Sequence, residues 1–272
     1  MTEISISNIA WQTEHDAQVR DLLSQCNVSY VDIAPSKYVD TKHLLNMVEV
    51  RRVRDFWLSK DIRPLGMQSL LFGTEGLNVF SDTVTQERML SHLERICAIG
   101  DELGARLLVF GSPRNRDCSG LGKQDIHDTA VSFFRRLGDI AKRHNVTFCL
   151  EPNPSRYNAN FMTTSIETAD IVMAVDHENI KMQLDTGAMC INEEVQEETL
   201  QRVKTYIGHI HISEPDLVPV YQNNLYQERL APLIKRYFPN MPITIEMLTK
   251  GSDSMLDDIE KSIRYVTELY QG

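Results

Sequence analysis

Four residues with metal-ligand chemistry close apolar runs in the second half of this 272-residue chain. VTFCLEPNP carries Glu151, IKMQLDTG carries Asp185, IGHIHISEP carries His211 and ITIEML carries Glu246. Three carboxylates and one imidazole make a mostly hard-oxygen donor set, suited to Mn²⁺, Mg²⁺ or Co²⁺ and usable by Zn²⁺. A cation held this way is expected to be catalytic, because it can polarise a carbonyl while a neighbouring carboxylate moves a proton.

Each run is short, rich in β-branched residues, and followed by a turn signal and then a helical pattern, as a parallel strand feeding a crossover helix is. The four ligands therefore fall at the C-terminal ends of strands five to eight. In a closed parallel barrel those ends open on one face, where active sites are built. Residues two before each ligand share its side of the strand, so Cys149, Gln183, His209 and Thr244 are expected inside the barrel. His209 lies one layer below His211, about 7 Å down the strand. It is expected to be a hydrogen-bonded core or orienting histidine, with contact to ion or substrate as the alternative.

Eight strand-then-helix units carry these positions. The strands are expected at 3–9, 28–34, 62–71, 106–113 and then at the four ligand runs. Helices are expected from Thr13 to near Asn27 and from about Leu45 to Ser59. A third is capped by Asp82 or Thr83 and stopped at Gly104, and a fourth spans about 124–144. Four more lie near 164–175, 195–205, 225–238 and 254–270. Ile126, Ala130, Phe133, Phe134, Leu137 and Ile140 form a stripe that packs on the barrel. The loop FGTEGLNVFSD after strand three, with two glycines and exposed apolar groups, is a candidate lid over the substrate. Chain length suits one (β/α)8 barrel over residues 1–272, a fold that typically needs roughly 250 residues.

An open dinucleotide-binding sheet would show GxGxxG after its first strand, and here that turn reads NIAWQTEHD. In a flat sheet the first and last of four successive strands lie about 14 Å apart, too far for one ion.

A formal charge of −10 argues against binding a phosphate backbone. The five cysteines, Cys26, Cys97, Cys118, Cys149 and Cys190, form no CxxC pair and suit a reducing compartment, with Cys97 and Cys149 as ordinary buried thiols. No signal-type leader precedes the first strand and no run approaches the ~20 apolar residues of a membrane span. A cytoplasmic protein is expected, with no nucleic-acid or membrane partner and with homo-oligomerisation left open.

The series LEPNP, QLDTG, HIHISEP and ITIEM resembles that of the xylose isomerase-like barrel superfamily, in particular the sugar isomerases and epimerases related to tagatose and psicose 3-epimerases. The resemblance covers nearly the whole chain. It implies that Glu151, Asp185, His211 and Glu246 bind one divalent ion, usually Mn²⁺ in that family, and that Glu151 and Glu246 act as the acid/base pair. The implied reaction is isomerisation or epimerisation of a small sugar by proton transfer through a metal-stabilised enediolate. The strand register puts Asn153, Asn160 and Gln68 at the mouth as further polar groups for a substrate, with Trp11 and Phe72 as an apolar wall for the sugar face.

This chain departs from those epimerases at two positions. It has Ala188 where they carry a histidine after the strand-six aspartate, and HISEPDLVPVYQ lacks their arginine. It offers instead Arg114 and Arg116 after strand four and Arg156 after strand five, so a derivatised sugar with a phosphate, carboxylate or nucleotide-sugar group is expected, bound by one or more of these forks. Other readings of the same site are a dehydratase of inosose or keto-sugar acids, an abasic-site-type phosphodiesterase and a non-catalytic sugar binder. The phosphodiesterase would want histidines where Gln68 and Ala188 stand.

Overall fold

The computed structural model describes residues 2–43, 45–222 and 225–272. Its strands are β1 Ile4–Ser7, β2 Tyr30–Ile33, β3 Arg63–Met67, β4 Leu107–Phe110, β5 Thr147–Leu150, β6 Ile180–Asp185, β7 Ile207–Ser213 and β8 Ile243–Glu246. All are parallel, pair in chain order and close through β1 and β8 into a barrel. The expected strand three is too long. Pairing stops at Met67, because Ser69 takes a left-handed φ of 56° that turns the chain out of the sheet. Strands one, two and four are likewise trimmed at both ends, to four residues each.

Helices α1 Asp16–Gln25, α2 Met47–Leu58, α3 Thr83–Leu103, α4 Lys123–Arg143, α5 Ser165–Val175, α6 Thr186–Ile191, α7 Glu197–Val203, α8 Leu225–Tyr237 and α9 Ser252–Gln271 surround the barrel. Asp82 caps α3 by accepting from the Thr85 amide at 3.0 Å, and Gly104 ends it at φ 79°, where any other residue would be strained. α6 is an addition to the expected set: Asp185 caps it through the Ala188 amide, at 2.6 Å, turning DTGAM from a plain turn into a short helix.

Apolar and polar residues divide across the sheet. Ile6, Ile33, Leu108, Phe148, Leu184, Ile210 and Ile245 are fully buried between strands and helices, where burial gives about 25 cal/mol per Å². The barrel interior instead holds Ser5, Asp32, Gln183, His209 and Thr244, all without solvent exposure. Buried polar groups are stabilised by hydrogen bonds, and Asp32 supplies them to three of these residues, while the amide of Gln183 has no protein partner among the described residues. It accepts from Ser5 Oγ at 3.1 Å, Thr244 Oγ1 at 3.2 Å and His209 Nε2 at 2.7 Å.

β7 carries one residue more than its neighbour. Met182 pairs with Ile207 and Gln183 with His209, so Gly208 bulges, and a Cβ there would stand 2.7 Å from that of Lys181. The bulge sets His211 level with Asp185 and Thr244. Cys97 and Cys149 are buried, and all five thiols are unpaired. Among the described residues no helix is long and apolar enough to cross a membrane.

Candidate metal and sugar site

Asp185 and Glu246 close β6 and β8, and Glu151 stands one residue past β5. β7 departs from this arrangement. His211 sits two residues inside it, and the strand runs on to Ser213, whose hydroxyl donates to Asp185 Oδ2 at 2.8 Å. With Ala188 N–H on the other oxygen, Asp185 is fixed from both sides.

The quartet converges as expected. Glu151, Asp185, His211 and Glu246 each bring one donor atom within 4.8 Å of the others. His211 Nδ1 lies 3.2 Å from Glu246 Oε2 and 4.0 Å from Glu151 Oε1, yet neither of its buried ring nitrogens has a hydrogen-bond partner of good geometry. Burial, then repulsion from Glu246 and Asp185, pushes Glu151 up to about 8, and burial and Glu246 push Asp185 up to about 6. Burial opposes a charge on His211, but Glu246 and Asp32 outweigh it and raise its pKa well above the usual value. Three crowded carboxylates around an orphaned imidazole nitrogen fit a divalent cation, which would relieve the repulsion and give that nitrogen a partner.

Asp32 is the residue beside the quartet that sequence reasoning missed. Its Oδ2 lies 3.6 Å from His211 Nε2, so the ring is set between a buried carboxylate and the cluster, as in carboxylate–histidine–metal triads. Asp32, His209 and His211 also bring donor atoms within 4.8 Å of one another. The direct 2.7 Å bond from His209 to Asp32 makes that group a support for the quartet, with no gap for an ion between them. The available signal was a lone carboxylate inside the apolar run YVDIA.

A second layer of polar groups holds the glutamates. Gln68 Nε2 donates to Glu246 Oε1 at 2.5 Å, and Asn153 Nδ2 donates to Glu151 Oε2 at 3.1 Å. Arg116 donates to Asn153 Oδ1. A guanidinium only donates, so it obliges Asn153 to turn its NH₂ toward Glu151. Gly111 makes room: a Cβ there would lie 2.0 Å from Glu151 Oε2. Gly111→Ala is therefore expected to displace Glu151 and lower turnover by about 10²-fold while the fold persists. Steady-state kinetics with circular dichroism as control checks this, and wild-type kcat in the variant would contradict the placement.

Several expected substrate contacts lie elsewhere. Trp11 is 2% exposed, donates to Asp16 Oδ1 at 2.7 Å and packs edge-on against Trp57, so it belongs to the core beneath the mouth. His209 is sealed one layer down by Asp32. Arg116 is buried behind Asn153, and Arg156 is held at the rim by Asp216 at 2.6 Å. Asn160 ties the loop of Asp117 and Ser119, at 2.6 and 3.0 Å. Much of the candidate lid is pinned, with Leu77 and Val79 buried and Asn115 Nδ2 donating to Leu77 O at 2.7 Å. Only its start faces the site, where Phe72 is 71% exposed.

Two cavities flank the quartet. The larger, about 560 Å³, is lined by Gln68, Phe72, Ser112 and Arg114, the smaller, about 350 Å³, by Asn153, Asp185, Ala188 and Glu214, and Glu151 and Glu246 line both.

A family model for the xylose isomerase-like TIM barrel matches residues 58–269. The chain is 32% identical to the D-psicose 3-epimerase of Ruminiclostridium cellulolyticum over 94 residues, which are 35% of this chain and 32% of that relative. The alignment thus spans about a third of the relative's length. The structure of D-psicose 3-epimerase with D-tagatose from Clostridium cellulolyticum H10 superposes with a TM-score of 0.81 at 17% identity, covering 99% of each chain. That of 3-keto-D-glucoside 4-epimerase from E. coli, in its apo form, gives 0.76 at 17% identity, over 97% of this chain and 100% of the other. At such identities the two structures speak for the fold. The strand order and the family match over 58–269 agree, and this chain belongs to the xylose isomerase-like TIM-barrel family.

Proposed function

We propose that this chain is a divalent-metal-dependent isomerase or epimerase of sugars or sugar derivatives. The observation that carries this reading is that Glu151 and Glu246 line both cavities, so a substrate spanning them passes between two carboxylates. One could take a proton from the carbon beside a carbonyl and the other return it, to the opposite face of that carbon or to its neighbour. Glu151, Asp185, His211 and Glu246 would hold the ion, Mn²⁺ by preference, which supplies positive charge for the developing oxyanion. Gln68 and Asn153 keep the two carboxylates oriented, and Ala188 leaves space where a histidine would touch a free ketose. The D-psicose 3-epimerase that is 32% identical over 94 residues supports epimerisation at a sugar carbon as the chemistry. Five unpaired thiols support a cytoplasmic setting.

Incubation of candidate sugars with the Mn²⁺-loaded protein in D₂O, followed by NMR, tests the reading. Deuterium should enter one carbon-bound position with no change in elemental composition. Loss of water from the product would indicate a dehydratase, and absence of label from every sugar that binds would refute proton transfer.

A further inference from the structure

We propose that the larger cavity is an anion-reading subsite, and that the substrate carries a phosphate or carboxylate at the end remote from the reacting carbon. This rests on the isomerase reading for which end reacts, but the subsite itself rests on charge and geometry. The cavities share their glutamate floor and differ in the charges beyond it. The smaller is lined by Asp185, Glu214 and Asp216 and by no lysine or arginine, and the nearby Arg156 is spent on Asp216. The larger has no carboxylate beyond Glu151 and Glu246, and Arg114 lines it.

Arg114 is fixed without being neutralised. Its Nη2 donates to the backbone carbonyl of Thr74 at 2.8 Å, and among the described residues no carboxylate comes within 4.0 Å of it. The guanidinium edge left over from Thr74 is a donor fork of the kind that matches phosphate and carboxylate oxygens. The smaller cavity offers no cation of its own and the one beside it, Arg156, is already paired with Asp216, so the fork of Arg114 sets the direction in which the substrate lies. Of the three arginines near the mouth, burial removes Arg116 and Asp216 removes Arg156, which leaves Arg114.

The test is equilibrium binding to the Mn²⁺-loaded protein of three probes: a free ketohexose, its 6-phosphate and the corresponding 2-keto-aldonate. Deuterium uptake is followed on the same samples. The wild type should bind at least one anionic probe about tenfold or more tightly than the free sugar, as expected for a charged hydrogen bond. The phosphate and carboxylate arms identify which anion. In R114Q the ratio should fall toward one, and R114K should keep part of it, with thermal melts confirming that both variants fold. A wild-type ratio near one, or a ratio unchanged in R114Q, overturns the subsite. If the ratio collapses in R114Q while no probe takes up deuterium, the subsite stands and the isomerase reading falls. If deuterium enters but binding is blind to charge, the reverse holds.

Discussion

Glu246→Gln is expected to lower carbon–hydrogen exchange by about 10²- to 10⁴-fold, the range that a positioned acid or base contributes. The substitution keeps the shape of the side chain, and its amide oxygen can still accept from Gln68, which donates to Glu246 Oε1 at 2.5 Å. What is lost is charge: one of three carboxylates facing His211 Nδ1, and the one nearest to it at 3.2 Å. Mn²⁺ affinity, read by titration calorimetry, should fall together with exchange. Removing the ion from the wild type with a chelator should abolish exchange, and adding Mn²⁺ should restore it. Exchange in Glu246→Gln within a few-fold of the wild type, or wild-type turnover indifferent to chelation, would sink the assignment.

Asp32→Asn is expected to cost about 3 kcal/mol of stability, the lower part of the range for breaking a buried charge network. Burial alone would raise the pKa of this carboxyl, yet His209 and His211 hold it well below the usual range, so the folded barrel favours its charged form more than water does. The carboxylate accepts from Ser5, Thr244 and His209 at once. An amide offers one acceptor oxygen and turns two N–H groups toward donors. His211, 3.6 Å away, loses the group that orients it, and metal affinity should fall about 10- to 100-fold. Urea unfolding and Mn²⁺ titration on the same variant check both effects. A denaturation midpoint equal to the wild type would show that Asp32 does not organise the barrel centre.

Relations within one strand were legible from sequence. Periodicity marked eight strands, and the turn after each marked where a ligand could stand, which brought Glu151, Asp185, His211 and Glu246 to one face before any distance was known. Parity placed Gln183, His209 and Thr244 inside the barrel, and all three are there without solvent exposure. Asp82 and Gly104 bounded α3 because capping and left-handed turns are chemistry local to a few residues.

The identity of a partner across the barrel was not legible. Asp32 reads as one odd carboxylate in β2, and only closure brings it to His209, 177 positions away in the chain. Arg114, Arg116 and Arg156 look equivalent as exposed loop cations. Yet one is buried behind Asn153, one is paired with Asp216, and one faces a cavity, because loop trajectories set by distant contacts decide what each side chain meets.

Alternation, turns and residue chemistry act over a few positions, and they were enough to give the barrel and the four residues, Glu151, Asp185, His211 and Glu246, that meet at its mouth. How those four residues are held, and which loop cation faces the site, depends on long-range contacts: the bulge at Gly208, the space at Gly111, the support from Asp32 and, among the described residues, an Arg114 that meets no carboxylate. Each of these arises when strands and loops far apart in sequence are forced into contact, and packing and charge at that contact have no signature in either segment alone.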